Sequence, residues 1–310
     1  MQSAREASDR ETSDGEASDR RTSDPETSAL MSVRSISCGY EMEHPVIDSI
    51  TFDVAQGEVV CVLGPNGVGK TTLFKSILGQ LPLFSGSVYL DGQDIKKVSQ
   101  KHLAQTIAYV PQAHVPPFPF LVGDVVAMGR TAHLSLFAMP STNDDFLAHE
   151  ALEKLGIADL YARPYTEISG GERQLVLIAR ALAQQTKMLV MDEPTANLDF
   201  GNQVRVLERI CDLAADGLAI LMTTHFPDHA LQCSSKCIVL ESPESYTIGR
   251  AEKVITSESL RRIYGIEAEV KSFQTLHGIE RACLPCVRKG AGETRDFQDS
   301  QNSQETQETL

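Results

Sequence analysis

Apolar residues recur along the chain in two alternating rhythms. Ile50, Phe52 and Val54 fall on every second position, the pattern of a strand with one buried face. Residues 58–63 then form an apolar run ending at glycine, as a strand covered on both faces would. Leu73, Phe74, Ile77 and Leu78 share one face of a helix, and Gly79 is placed to stop it. Residues 87–90 followed by Asp91-Gly92 read as strand and turn, and 107–110 as a short strand closed by Pro111. Helical periodicity occupies 144–155 and 170–184. Residues 187–191 are a buried strand, Val204, Leu207, Ile210 and Cys211 mark another helix face, and 218–222 and 236–240 are further strands. Buried strands alternating with helices predict an α/β layered domain around a largely parallel sheet. The Pro-rich segment 111–119 and the helical region to about Gln184 break that alternation. They predict a helical subdomain, about 113–184, inserted between two halves of the sheet domain.

The chain ends follow neither rhythm. Residues 6–28 repeat with period five (EASDR, ETSDG, EASDR, RTSDP) and have almost no large apolar side chain. Such a segment cannot offset its ordering entropy, so residues 1–30 are expected to be a disordered Ser/Asp-rich repeat. The folded body is expected over about 31–272, with an extension as far as 287 left open; the 273–310 stretch is expected to be mostly disordered, polar from about Arg288 onward. Composition then narrows the function. Lys plus Arg number 28 against 42 Asp plus Glu, a net charge of −14, which argues against a phosphate-backbone ligand. Aromatics are only 6% of residues, too sparse for a base-stacking surface, so no nucleic-acid partner is expected. No apolar run reaches the ~18–20 residues of a membrane span, and the polar N-terminus is not a secretory signal. The seven cysteines are odd in number and mostly lie in apolar segments, as in a reducing compartment. Cys283 and Cys286 form a lone CxxC pair without a second ligand pair and read as incidental, and Cys233 and Cys237 as packing residues.

The chemistry concentrates in three places. Gly64, Pro65, Asn66, Gly67, Gly69, Lys70, Thr71 and Thr72 fall in a P-loop spacing, after a buried strand and before a helix. Its glycines let backbone N–H groups turn inward around phosphate oxygens, and the helix N-terminus adds its dipole. Lys70 would reach the β- and γ-phosphates and the Thr71 hydroxyl would bind Mg²⁺. The strand 188–191 then leads into adjacent carboxylates, Asp192 and Glu193. Successive side chains at a strand end point apart, so Asp192 can face Mg²⁺ while Glu193 faces an attacking water; a kinase needs no such second acid, whereas a hydrolase does. Finally, Ser169, Gly170, Gly171 and Glu172 open a helix. Ser169 and Glu172 make a capping box, but two glycines weaken a helix by ~1 kcal/mol each. A helix tip stripped of side chains is a second anion site.

Ile168-Ser169-Gly170-Gly171-Glu172 resembles the LSGGQ signature of ABC transporter ATP-binding subunits, with a mild departure at its ends. The rest of that family's pattern follows in order over about 32–270. Tyr40 stands where the family places an aromatic against adenine, Gln112 where its Q-loop glutamine lies, Asn197-Leu198-Asp199 where its D-loop lies, and His225 where its switch histidine lies. The resemblance implies a P-loop NTPase of RecA-like, ABC-type fold, with an inserted α-helical subdomain and an N-terminal antiparallel β region. It implies ATP and Mg²⁺ as ligands, with Thr71, Gln112 and Asp192 at the metal and Glu193, His225, Lys70 and Gln112 in catalysis. It also implies that a second copy of the chain covers the nucleotide with Ser169, Gly170, Gly171 and Asp199 in an ATP-sandwich dimer. The partners would be integral membrane permease subunits at the cytoplasmic face of the membrane and, indirectly, an external substrate-binding protein. A narrower resemblance, at Phe118-Pro-Phe120, Met128-Gly-Arg130, 133–137, Gly171-Glu-Arg-Gln174 and Leu260-Arg-Arg-Ile-Tyr264-Gly, is to subunits that drive import of metal chelates (iron–siderophore, haem, cobalamin) or of molybdate and tungstate, and 196–203 with 223–229 is also similar to the oxyanion-type members. The alternative, a non-transport ABC ATPase acting on DNA or ribosomes, calls for long coiled coils, a zinc-bearing insertion or tandem cassettes, and the sequence has none of these.

Overall fold

The structure, a computed structural model, describes residues 29–112, 118–135, 141–275 and 278–287. The repeats of 1–28, Phe137 and the polar stretch from 288 lie outside the described residues. The chain opens with β1 (Ala29–Cys38), β2 (Ile47–Ala55) and β3 (Val59–Leu63), then α1 (Lys70–Ile77), β4 (Leu83–Leu90), β5 (Gln93–Asp94), α2 (Gln100–Thr106) and β6 (Ile107–Val110). Three helices follow: α3 (Val122–Ala127), α4 (Thr142–Lys154) and α5 (Gly170–Ala183). Sheet and helix then alternate again through β7 (Met188–Met191), α6 (Phe200–Ala215), β8 (Ala219–Thr224), α7 (Pro227–Cys233), β9 (Lys236–Ser242) and β10 (Ser245–Gly249). The chain closes with α8 (Ala251–Val254), α9 (Ser257–Tyr264) and the strands β11 (Ala268–Thr275) and β12 (Gly278–Pro285).

The main sheet has the order β10-β9-β3-β8-β7-β6, parallel except at the β10 edge. A four-stranded antiparallel sheet, β2-β1-β4-β5, lies to one side. The pleat of β3 explains why its residues are all apolar. Val60 and Val62 enter a core shared with the antiparallel sheet and α1, whereas Val59, Cys61 and Leu63 enter a second core beneath α3 to α9. A strand with two buried faces must be apolar on both. The predicted α/β layering, the antiparallel region and the helical insert are therefore all present. Gly79, with φ of 68°, ends α1 as expected.

Inside the helical insert, Arg130 and Asp144 are both buried and tied together, Nε to Oδ1 at 2.9 Å. Arg130 Nη1 also donates to the Ala183 carbonyl at 2.8 Å and to Gln185 Oε1 at 3.0 Å. Asp144 accepts from the Ser141 N–H and hydroxyl, completing the capping box of α4. Those Ser141 donors first, and Arg130 with them, lower the Asp144 carboxyl to a pKa of about 2. Beside this pair, a Cβ on Gly129 would meet the Arg180 carbonyl oxygen at 2.0 Å. Gly129 and Arg130 are therefore demanded by packing, whereas Met128 is exposed.

Two features go beyond the sequence reading. Order does not stop at 272: β11 pairs with β12 from Ala268↔Pro285 to Thr275↔Gly278. One face of this hairpin rests Ala268, Val270 and Cys283 on the main core, while the other mixes Glu269, Lys271 and Glu280 with the half-exposed Phe273 and Leu284, so no clean alternation marks a strand pair. β1 also yielded no strand pattern. Ser35 takes a left-handed φ of 44° at a bulge, which breaks its alternation.

Candidate active site

The end of β3 delivers the chain into Gly64 and the loop before α1. Gly69 caps that helix with φ of 111°, and no side chain bonds its first turn. A Cβ there would meet Val46 Cγ1 at 2.6 Å, so glycine is required for both conformation and space. The uncapped N–H groups of α1 thus face a cavity of about 400 Å³, lined by Tyr40, Val46, Asn66, Gly67, Gly69, Lys70, Thr71, Thr72, Gln112, Asp192 and Glu193. Backbone N–H groups at a helix start, with a lysine among them, make a phosphate site.

Lys70 is 5% exposed, and its Nζ donates to the Gly64 carbonyl at 2.8 Å and the Pro65 carbonyl at 3.1 Å. The same Nζ lies 3.2 Å from Glu193 Oε1, and the other Glu193 oxygen lies 3.3 Å from His225 Nδ1. That ring nitrogen is buried and has no hydrogen-bond partner among the described residues. The Thr71 hydroxyl donates to Asp192 Oδ2 at 2.8 Å, pairing two hard oxygen donors at the helix start. Tyr109 approaches the same oxygen at 3.5 Å; burial, then the Asp192 charge, pushes its phenol up to about 12.

The two carboxylates diverge, but not through the strand pleat invoked above. β7 ends at Met191, and Glu193 turns away because its backbone is left-handed, with φ of 46°. That conformation costs about 1–3 kcal/mol in a residue with a Cβ. Thr223, at the end of neighbouring β8, holds it: the Thr223 hydroxyl accepts the Glu193 N–H at 2.8 Å and donates to Asp192 Oδ1 at 2.7 Å. In the sequence, Thr223 stands only within the 223–229 resemblance, with no role of its own, although a hydroxyl at a strand end two residues before His225 was the available signal. Of the six described non-glycine residues with a left-handed φ, Glu193 is the one that lines this cavity.

The remaining candidates lie apart from this cavity. Ser169 caps α5: its hydroxyl accepts the Glu172 N–H at 3.3 Å, and Glu172 Oε2 accepts the Ser169 N–H at 2.7 Å, which lowers the Glu172 pKa. Its two glycines have separate causes. A Cβ on Gly171 would meet Asn202 Cγ at 2.4 Å, so this glycine lets α5 approach α6, whereas one on Gly170 would find only Leu198 at 3.7 Å. Gly170 alone keeps the helix tip bare. Asp199 caps α6 through the Asn202 N–H at 2.9 Å. None of Ser169, Gly170, Gly171 or Asp199 lines the phosphate cavity, which is thus open on one side. Among the described residues no helix is long and apolar enough to cross a membrane.

Known proteins carry the same construction. The family profile of the ABC transporter matches residues 47–196. An uncharacterised ABC transporter ATP-binding protein of Haemophilus influenzae is 41% identical over 253 residues, 82% of this chain and 96% of that one. The molybdate import ATP-binding protein MolC of the same organism is 34% identical, over 76% of this chain and 87% of its own length. Among solved structures, an inward-facing conformation of an ABC transporter assigned to the metal-chelate type superposes with a TM-score of 0.76 at 32% identity, covering 84% of this chain and 99% of that one. With 41% identity over most of both chains and the same cassette fold, the chain belongs to the ATP-binding subunits of ABC transporters.

Proposed function

We propose that this chain powers import of a metal chelate or metal oxyanion by hydrolysing ATP between two copies of itself, beneath a separate membrane permease. The observation that carries the hydrolytic reading is Glu193, strained and shared between Lys70 and His225 at 3.2 and 3.3 Å. The cargo class is supported by the molybdate-importing relative and the metal-chelate structural neighbour. Peripheral attachment at the cytoplasmic face, with an external binding protein acting through the permease, is the arrangement such a subunit requires.

Each residue then has a task. Lys70 exchanges its loop carbonyls and Glu193 for the β- and γ-phosphates, freeing Glu193 to orient or deprotonate water. His225 contacts the γ-phosphate and positions that water. Tyr40, 66% exposed at the cavity rim, stacks on adenine. Ser169 and Gly170 of the second copy, with Gly171 and Asp199 behind them, close the open side of the cavity by two-fold symmetry. Thr71 and Asp192, with Gln112 on the cavity wall, fit Mg²⁺: they are hard oxygen donors, and this ion keeps waters and phosphate oxygens as its other ligands. When bound, Mg²⁺ supplies charge neutralisation across the phosphate oxygens.

Glu193→Gln tests this. The variant should bind ATP, turn it over about 10²–10⁴-fold more slowly and elute as an ATP-dependent dimer. Undiminished turnover, or a monomer at saturating ATP, would refute the sandwich. For cargo, cells lacking the gene should lose uptake of one labelled compound among iron chelates, cobalamin, molybdate and tungstate.

A further inference from the structure

The motif Leu260-Arg-Arg-Ile-Tyr264-Gly lies far from the phosphate cavity in sequence, and nothing in the chemistry above uses it. In space it reaches the back of the site. Tyr264 is the last residue of α9, and its hydroxyl donates to the backbone carbonyl of His225 at 2.8 Å. We propose that Tyr264 is a positioning residue for ATP hydrolysis, fixing the imidazole of His225 by anchoring its peptide from behind. The inference rests on the assignment of His225 made above.

Three observations support it. First, the His225 ring lacks an anchor of its own: Nδ1 has no hydrogen bond among the described residues and approaches Glu193 only at ion-pair distance. The ring packs on Phe226 at a centroid separation of 4.1 Å, a contact that restrains tilt but not position along the stack. Its location is therefore set mainly by the backbone. Second, that backbone is a two-residue link between β8 and α7, and His225 and Tyr264 both border a mostly apolar cavity of about 240 Å³ with Pro227, Asp228, Leu260, Ile266 and Cys283. Among such neighbours the His225 carbonyl finds its donor in the Tyr264 hydroxyl. Burial pushes the Tyr264 phenol above its ordinary pKa, so it remains a donor at every working pH. Third, the anchor is itself stiff. α9 starts at a Thr256/Ser259 capping box and stops at Gly265, with φ of 66°. From the other side, the Cys283 N–H of β12 donates to Asp228 Oδ1 at 2.7 Å, pinning the first turn of α7. The C-terminal end of the cassette thus grips the His225 turn at two points.

Tyr264→Phe keeps the ring and removes the donor. Nucleotide affinity is set at the P-loop, so it should hold within about twofold while kcat falls about five- to tenfold, the effect of one lost hydrogen bond in the active geometry. A residue acting through His225 has nothing to act on without it. In a His225→Ala background, Tyr264→Phe should leave the residual turnover, followed with γ-labelled ATP, unchanged. The proposal is overturned if Tyr264→Phe alone leaves kcat intact, if ATP affinity falls by the same factor as kcat, or if kcat drops equally in both backgrounds. Failure of the His225 assignment is separately visible, because His225→Ala alone would then retain full turnover.

Discussion

Two buried cations, Arg130 and Lys70, each face a carboxylate, and they are built in opposite ways. Arg130 sits in a closed cluster. Its N–H groups have fixed partners in Asp144, Ala183 and Gln185, and Asp144 is further committed to Ser141. Lys70 sits in a cluster whose contacts can be exchanged. It holds two loop carbonyls and one oxygen of a carboxylate whose other oxygen faces His225. The first arrangement satisfies every charge by geometry that cannot improve, so it contributes to folding. The second leaves its donors with partners that phosphate oxygens can replace, as the turnover proposed above requires. A buried charge pair reveals its task by whether its bonds are exclusive.

This contrast can be broken by experiment. The largest effect should come from Arg130→Ala, which leaves the buried Asp144 carboxylate with only its Ser141 donors. Urea titration should show a loss of about 3–5 kcal/mol, with ATP affinity of the folded protein unchanged. Lys70→Ala should give the converse: steady-state turnover down about 10²–10³-fold, ATP binding weakened, and an unfolding midpoint close to that of the parent. A shared loss of stability and turnover in both variants would erase the distinction. The smallest effect is in acid. An Asp is ordinarily near 3.9 in an unfolded chain, and Asp144 is held at about 2. Its folded pKa is depressed, so its contribution is present above pH ~4 and lost as pH falls toward 2. Between those values Asp144→Asn should flatten the stability curve relative to the parent.

How legible each part was depended on whether its reason was local. The phosphate loop was readable because strand, glycines, lysine and helix are contiguous in the chain. Asp192 and Glu193 were readable as residues, but their divergence was not, because it comes from a left-handed turn at Glu193 and a hydroxyl on the next strand. The signature glycines read as one anion site, yet Gly171 answers to Asn202, which lies far along the chain and touches it only once α5 and α6 are packed. Tyr264 contacts a carbonyl 39 positions away, and the C-terminal hairpin draws its stability from helices that no local pattern reveals. Met128-Gly-Arg130 was recognised as a resemblance; only the close approach of Gly129 to Arg180 explains its glycine.

The single hydroxyl of Thr223 has a wider consequence. Because one oxygen accepts from the Glu193 amide and donates to Asp192, the acid proposed to face the metal and the acid proposed to face water are riveted to the same point on β8. Neither can be retuned alone. Thr223→Val, nearly identical in shape, would disturb ion coordination and bond cleavage together, so this position offers no gradual route to a slower but otherwise intact motor.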